Sequence, residues 1–136
     1  KIEVWWGGLK ANGGLMILLA YLLQRSPNWK GAEVTVKMLI RNEKALAGAE
    51  ENLSELLREM RVDHQEKLIF EPEKDFYQVL SDESSHADLV LLGMALPREG
   101  FDYATYYQQL TKKTSGLPTT LYVMASQEVE FQEVLN

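Results

Sequence analysis

Ile2-Glu3-Val4-Trp5-Trp6, then Gly7-Gly8-Leu9-Lys10-Ala11-Asn12-Gly13-Gly14, then Leu15-Met16-Ile17-Leu18-Leu19-Ala20-Tyr21-Leu22-Leu23, is the stretch that decides the fold. A β-rich run, a four-glycine loop and an almost wholly apolar helix read as the first strand, turn and helix of an α/β domain. Strand and helix are too apolar to face water, so both are expected to be central and covered by other elements. Asn12 is a plausible cap for a helix that runs from about Gly14 to Arg25, where Ser26-Pro27 stops it. The apolar residues of that helix occupy nearly all its faces, which implies cover on more than one side and a surplus face open to a partner.

Outward from this unit the pattern repeats. Strand two is expected over Glu33 to Ile40, with Val34, Val36, Met38 and Ile40 alternating against Glu33, Thr35 and Lys37, and with Leu39 as the exception. Asn42 caps a long helix carrying Leu46, Ala49, Leu53, Leu57 and Met60 at helical spacing, acidic at its start and with Arg58 and Arg61 at its end. A short strand follows over Lys67 to Phe70, then a helix capped by Asp75 with Phe76, Val79 and Leu80. Ala87 to Gly93 is a second continuous apolar run and so a second central strand. Asp102 caps a helix through Tyr103, Tyr106, Tyr107 and Leu110. Strand five runs from Thr119 to Met124, and Val129, Phe131, Val134 and Leu135 suggest a last helical turn. Five strands separated by helices require parallel crossovers, hence an α/β three-layer sandwich with helices on both faces, Rossmann-like. Placing the two most apolar strands side by side gives the order 3-2-1-4-5.

In that order the chain reverses between strands one and four. The crevice is expected there, between the glycine loop and the loop after Gly93. The candidate crevice residues are Gly7, Gly8, Lys10, Asn12, Gly13, Gly14, Met94 and Pro97.

The chain has 136 residues, enough for one domain with a real core and too few for two ordinary ones. A formal net charge of −6 with no basic run argues against nucleic acid as a partner. The absence of cysteine excludes disulfides, thiolate metal sites and cysteine nucleophiles. Leu15 to Leu23 reaches about half of the ~20 apolar residues that a bilayer span requires, so a soluble piece is expected. The start at Lys1 suggests a segment excised from something larger.

Gly8 to Gly13 has the glycine spacing of a phosphate loop, but Gly14-Leu15 stands where Lys-Ser/Thr should, and a dinucleotide fingerprint fails too. The loop reads as a tight turn that lets strand and helix pack closely. His64 and His86 are isolated, and Ser84-Ser85-His86 lie at the amino end of strand four, where catalytic side chains of such sheets do not sit. They read as capping or turn residues. Glu66, Glu71, Glu73, Asp75, Asp82 and Glu83 resemble a solvated edge without calcium-loop spacing. No catalytic, cofactor or metal residue is assigned. Among Phe101, Tyr103, Tyr106 and Tyr107, core packing suits two and an interface patch the others.

At Ile2 to Trp6, Gly13-Gly14-Leu15, Tyr21-Leu22-Leu23 and Trp29-Lys30 the chain resembles the cytoplasmic carboxy-terminal domain of cation-chloride cotransporters, the Na-K-Cl and K-Cl carriers. A second block agrees: Ser84-Ser85-His86-Ala87-Asp88 through Met94-Ala95-Leu96-Pro97, with Leu117-Pro118 before the last strand. The short connection between strands three and four departs from the long polar insertion of eukaryotic members and points to a prokaryotic homologue. The resemblance implies a non-catalytic regulatory and dimerising domain, the second of two α/β halves similar to universal stress proteins. Its partners would be the first half, the membrane domain and a symmetry mate. The nucleotide signature of stress proteins is not reproduced at Trp6 or after Gly93, so the resemblance transfers no ligand residues and no cofactor. Trp29, Tyr103, Tyr106 and Tyr107 are the candidate interface, facing either the first half or the symmetry mate. The competing readings are a free-standing nucleotide-binding stress protein, motivated by the fold and glycine loop, and a small hydrolase or transferase, with only Lys10, His86 and the crevice behind it.

Overall fold

The structure is a computed structural model that describes residues 1–7, 10–58 and 64–126. Gly8, Met60, Arg61 and the suggested turn of Val129, Phe131, Val134 and Leu135 lie outside the described residues, as does the side chain of Lys10. The elements follow the expected succession: β1 (Ile2–Trp5), α1 (Lys10–Gln24), β2 (Val34–Ile40), α2 (Glu43–Arg58), β3 (Gln65–Phe70), α3 (Phe76–Ser84), β4 (Leu89–Gly93), α4 (Tyr103–Lys113) and β5 (Thr120–Val123). All pairings are parallel and the order is β3-β2-β1-β4-β5, as the apolarity of β1 and β4 predicts.

Alternation along β1 distributes its side chains between two cores. Ile2 and Val4, with Val34 and Val36 of β2 and Leu89 and Leu91 of β4, face Met16, Ile17 and Ala20 of α1 and Leu53, Leu56 and Leu57 of α2. Trp5, with Val90 and Leu92, joins Ile69 and faces Val79 and Leu80 of α3 and Leu110 of α4. The helices therefore change faces where the chain reverses direction across the sheet, which is what right-handed crossovers on a reversed strand order require. Each large side chain fully buried in these cores contributes roughly 1.5–3 kcal/mol. The core seam runs through β1 and β4, and that seam positions the crevice at their carboxyl ends.

Three caps agree with the sequence. The Asn42 side chain accepts from the Lys44 N–H at 2.8 Å, Asp75 from Tyr77 at 3.1 Å, and Asp102 from Thr105 at 3.1 Å. Leu46, expected on the buried stripe of α2, is partly turned to solvent, and Leu56 takes a core place instead. α1 differs more. It begins at Lys10, so Asn12, Gly13 and Gly14 lie inside the helix and not in the loop before it. A Pro27–Trp29 turn of 3₁₀ helix follows it, and Gly31, at φ 84°, supplies the left-handed turn into β2.

The two sheet edges contrast. β3 exposes Gln65, Glu66 and Lys67 at its start, where the charges discourage pairing with another strand, and Phe70, 44% exposed, at its end. β5 carries no charged residue and leaves Leu121 and the following Met124 each 43% exposed.

Candidate functional site

β1 ends at Trp5, and the Trp6 N–H extends the ladder by donating to Lys37 O at 2.9 Å. Across the seam Met94 N–H donates to Val123 O at 2.8 Å. Into this gap α1 inserts Asn12, which is 2% exposed. Its Nδ2 donates to Met94 O at 2.9 Å and its Oδ1 accepts from Ala125 N–H at 2.8 Å. Asn12 is thus no helix cap. It ties α1 to the chain just beyond β4 and β5, satisfying main-chain groups that the ends of the ladders leave over.

Gly13 shows why this helix can begin so close to the strand. A Cβ there would stand 2.8 Å from both Leu56 Cδ2 and Trp6 Nε1. The glycine admits the Trp6 indole between α1 and α2, so close packing rather than loop conformation is its purpose. Gly13→Ala is accordingly expected to destabilise the chain by about 1–3 kcal/mol despite alanine's better helix propensity. Gly48→Ala in α2, where a Cβ meets nothing within 4 Å, should stabilise it by up to about 1 kcal/mol. Urea unfolding of the two variants checks the contrast.

The crevice is divided by this packing. On the α1 side about 150 Å³ remains, lined by Gly7, Asn12, Gly93, Met94 and Ala95. On the α3 side lies a cavity of about 420 Å³ lined by Trp5, Trp6, Gly7, Leu39, Arg41, Phe76, Leu92 and Gly93. Of the crevice candidates the structure brings together Gly7, Asn12 and Met94. Gly14 is buried in α1, and Pro97 is exposed and lines neither space. The apolar wall of Trp5, Leu39, Phe76 and Leu92 was missed. Its signal was the exception in strand two: Leu39 breaks the polar side of the alternation because α3 covers that face as well.

Beneath that wall lies a buried charge pair. Lys37 Nζ is 2.7 Å from Glu3 Oε2, donates to Glu83 O at 2.8 Å and stands 3.6 Å from Glu83 Oε2. The Glu3 and Lys37 side chains are 6% and 5% exposed. Trp5 Nε1 donates to Ser84 Oγ at 2.8 Å, and the Lys37 ammonium lies 5.7 Å from the Trp5 ring centroid. Ser84, read as a cap or turn, is instead the buried last residue of α3 and the acceptor that holds the indole. Ser85 is the C-cap of α3, and His86 is exposed.

Glu83, assigned to a solvated edge, is half-buried beside two lysines. A side-chain hydrogen bond from Lys67, 2.7 Å away, holds its carboxyl below the usual range, with the charges of Lys67 and Lys37 acting in the same sense against burial. A carboxylate whose folded pKa is depressed adds stability that is present above its ordinary value of about 4.3 and lost as pH falls through the folded value. Lys67→Met should therefore flatten the fall of the urea midpoint as pH drops below the ordinary carboxylate value of about 4.3.

The candidate interface residues fall at opposite ends of the sheet. Trp29 packs partly buried on the α1-side core near Lys1 and Asp88, at the amino ends of the strands. Tyr106 and Tyr103 lie at the carboxyl ends: the Tyr106 hydroxyl accepts from Ala95 N–H at 3.0 Å, and the Tyr103 hydroxyl is 3.5 Å from Met124 Sδ. Phe101, Tyr103 and Tyr106 form one ring cluster, with centroids 5.4–6.0 Å apart. Tyr107 stands outside it, 47% exposed and edge-on to Tyr122 of β5. His64 pairs with Glu66 at 3.4 Å, remote from the crevice. Among the described residues no group of three His, Cys, Asp or Glu could hold a metal, and no helix is long and apolar enough to cross a membrane. Around the two crevice spaces stand indoles, a phenyl ring, aliphatic groups, an amide and one guanidinium. That set can hold an apolar body and a negative charge.

A universal stress protein in complex with cAMP shares the fold, with a TM-score of 0.55 and 15% identity over 93% of this chain and 95% of that one. No curated protein matches the chain. The family model described as "Solute carrier family 12" matches residues 1–76, more than half of the 136. That span includes the paired tryptophans, the Asn12-Gly13-Gly14 turn of α1 and all of α2 and β3, and on it the chain belongs to solute carrier family 12, as its resemblance to the cation-chloride cotransporters implied.

Proposed function

We propose that the chain is a non-catalytic regulatory and dimerising module of a cation-chloride symporter, lying on the cytosolic side and formed as the second of two α/β halves. The observation that carries this reading is the asymmetry of the sheet edges. β3 carries Glu66 and Lys67 against pairing and exposes one large apolar side chain, Phe70, whereas β5 is uncharged, exposes Leu121 and has exposed Met124 and Tyr107 beside it, the composition of a surface that meets protein. Family membership supplies the transporter, and this edge is where the first half or a symmetry mate would bind. Deleting the segment from the full carrier is expected to lower chloride-coupled cation flux and to change the oligomeric state. Unchanged flux together with an unchanged oligomer would refute the reading.

A second reading, a nucleotide-binding domain of the stress-protein kind, is favoured by the fold shared with a protein whose structure holds cAMP. Calorimetry with ATP and AMP at millimolar concentration decides it, and absence of heat at that level leaves it without support.

A further inference from the structure

Beyond its place in a transporter, we propose that the cavity on the α3 side of the switch point binds a small effector, a flat apolar monoanion such as an aromatic carboxylate. The volume of about 420 Å³ lies within the range of small-molecule sites. Its walls are held by their neighbours. Trp5 is 3% exposed, its only N–H is taken by Ser84 Oγ, and Phe76 packs edge-on against it with centroids 5.9 Å apart. The indole polar group is thus already engaged, and what the ring offers a ligand is an apolar surface. Leu39 and Leu92 complete the wall, and Gly7 lets a ligand approach the main chain.

Among the described residues the one charged side chain that lines the cavity is positive. Arg41 lines it, and one guanidinium nitrogen, Nη1, donates to Lys74 O at 2.7 Å, which orients the group and leaves other N–H groups to offer an acceptor. The neighbouring Lys74 ammonium is balanced by Glu71 and Asp82, each 3.8 Å away, and the start of α3 is occupied by the Asp75 carboxylate. Lys37 beneath Trp5 is neutralised by Glu3. One cation in the lining of an aromatic-walled cavity, with the carboxylates of Glu71, Asp82 and Asp75 nearby, suits one negative charge on an apolar body and not a polyphosphate.

The test uses the 136-residue chain in a Trp29→Phe background, which leaves Trp5 and Trp6 as the only indole energy donors. Anilinonaphthalene sulfonate, an aromatic monoanion, is titrated and then displaced by naphthoate, by the neutral naphthylmethanol and by AMP. Saturable binding of one dye per chain with indole-to-dye energy transfer is expected, with naphthoate displacing it at lower concentration than the alcohol and AMP leaving it in place. Arg41→Gln should weaken naphthoate about 10-fold and leave the alcohol unchanged, as loss of one charge-assisted bond would. Leu39→Phe, which fills the cavity, should abolish dye binding. If that variant loses its near-ultraviolet dichroism, Gly7→Val, whose Cβ enters open space, takes its place. Absence of saturable binding, equal affinity of the Arg41→Gln chain for naphthoate, or displacement by AMP as effective as by naphthoate overturns the proposal. Flux and oligomeric state of the carrier do not enter this test, so it stands or falls separately from the transporter reading.

Discussion

Lys37→Met is expected to cost the chain about 3–5 kcal/mol of stability, the loss typical of removing one partner from a buried ion pair. The methionine keeps the length and most of the volume of the lysine stem, so the effect reports the ammonium and not a cavity. Without it the Glu3 carboxylate remains in a site 6% exposed, where its Oε1 already has no hydrogen-bond partner among the described residues. Glu83 O loses its donor as well. Against a net stability of ~5–15 kcal/mol for a domain, that is a large share. Replacing both partners, Glu3→Leu with Lys37→Met, should recover most of the loss, because the two desolvated charges leave together and apolar groups take their space. Urea unfolding of the wild type, both single variants and the double variant forms the cycle that measures the coupling, with an unchanged m-value required of each. A single-variant cost below about 1 kcal/mol would mean that the pair behaves as a solvated surface contact.

This pair also shows where the sequence stops being legible. Strand order could be read because β1 and β4 are the most continuous apolar runs, and a strand neighboured and covered on all sides gives a polar side chain no access to water. The same logic applies to Lys37. A sheet with helices on both faces has no solvent side for a central strand, so a lysine in β2 must meet an opposite charge. Which charge it meets depends on register, since Glu3 pairs with Thr35 and reaches Lys37 only as a diagonal neighbour on the same face. Register is a tertiary quantity that composition does not carry. The start of α1 was misplaced for a related reason. Gly13 and Gly14 are poor helix formers in isolation, and only the Trp6 indole, packed where a Cβ at Gly13 would stand, makes a glycine the residue the helix needs. The apolar half of the crevice went unread for the same reason: the two-residue period sends Trp5 and Trp6 to opposite faces, but which helix covers each face depends on the crossovers.

Asn12→Leu should destabilise the chain by roughly 2–4 kcal/mol, because its amide meets two main-chain groups at once in a buried place and leucine meets neither. The Met94 carbonyl loses the Asn12 donor and the Ala125 N–H loses the Asn12 acceptor, and a buried hydrogen bond lost from one partner costs about 1–3 kcal/mol. Asn12→Asp separates the two halves of the role. A carboxylate still accepts from Ala125 N–H but cannot donate to Met94 O, and it sets negative charge against a carbonyl oxygen. Amide exchange at Ala125 should thus stay slow relative to the Asn12→Leu chain, while exchange at Ala95, whose N–H the Tyr106 hydroxyl accepts, should quicken as the segment after β4 loosens. If both variants left exchange at Ala95 and Ala125 unchanged, Asn12 would be a passenger and the seam would be held by the strand ladder alone. The structure predicts otherwise, since this side chain ties α1 to the segments just beyond β4 and β5 at the point where the chain reverses across the sheet, and a helix cut loose there would open the crevice from its polar side.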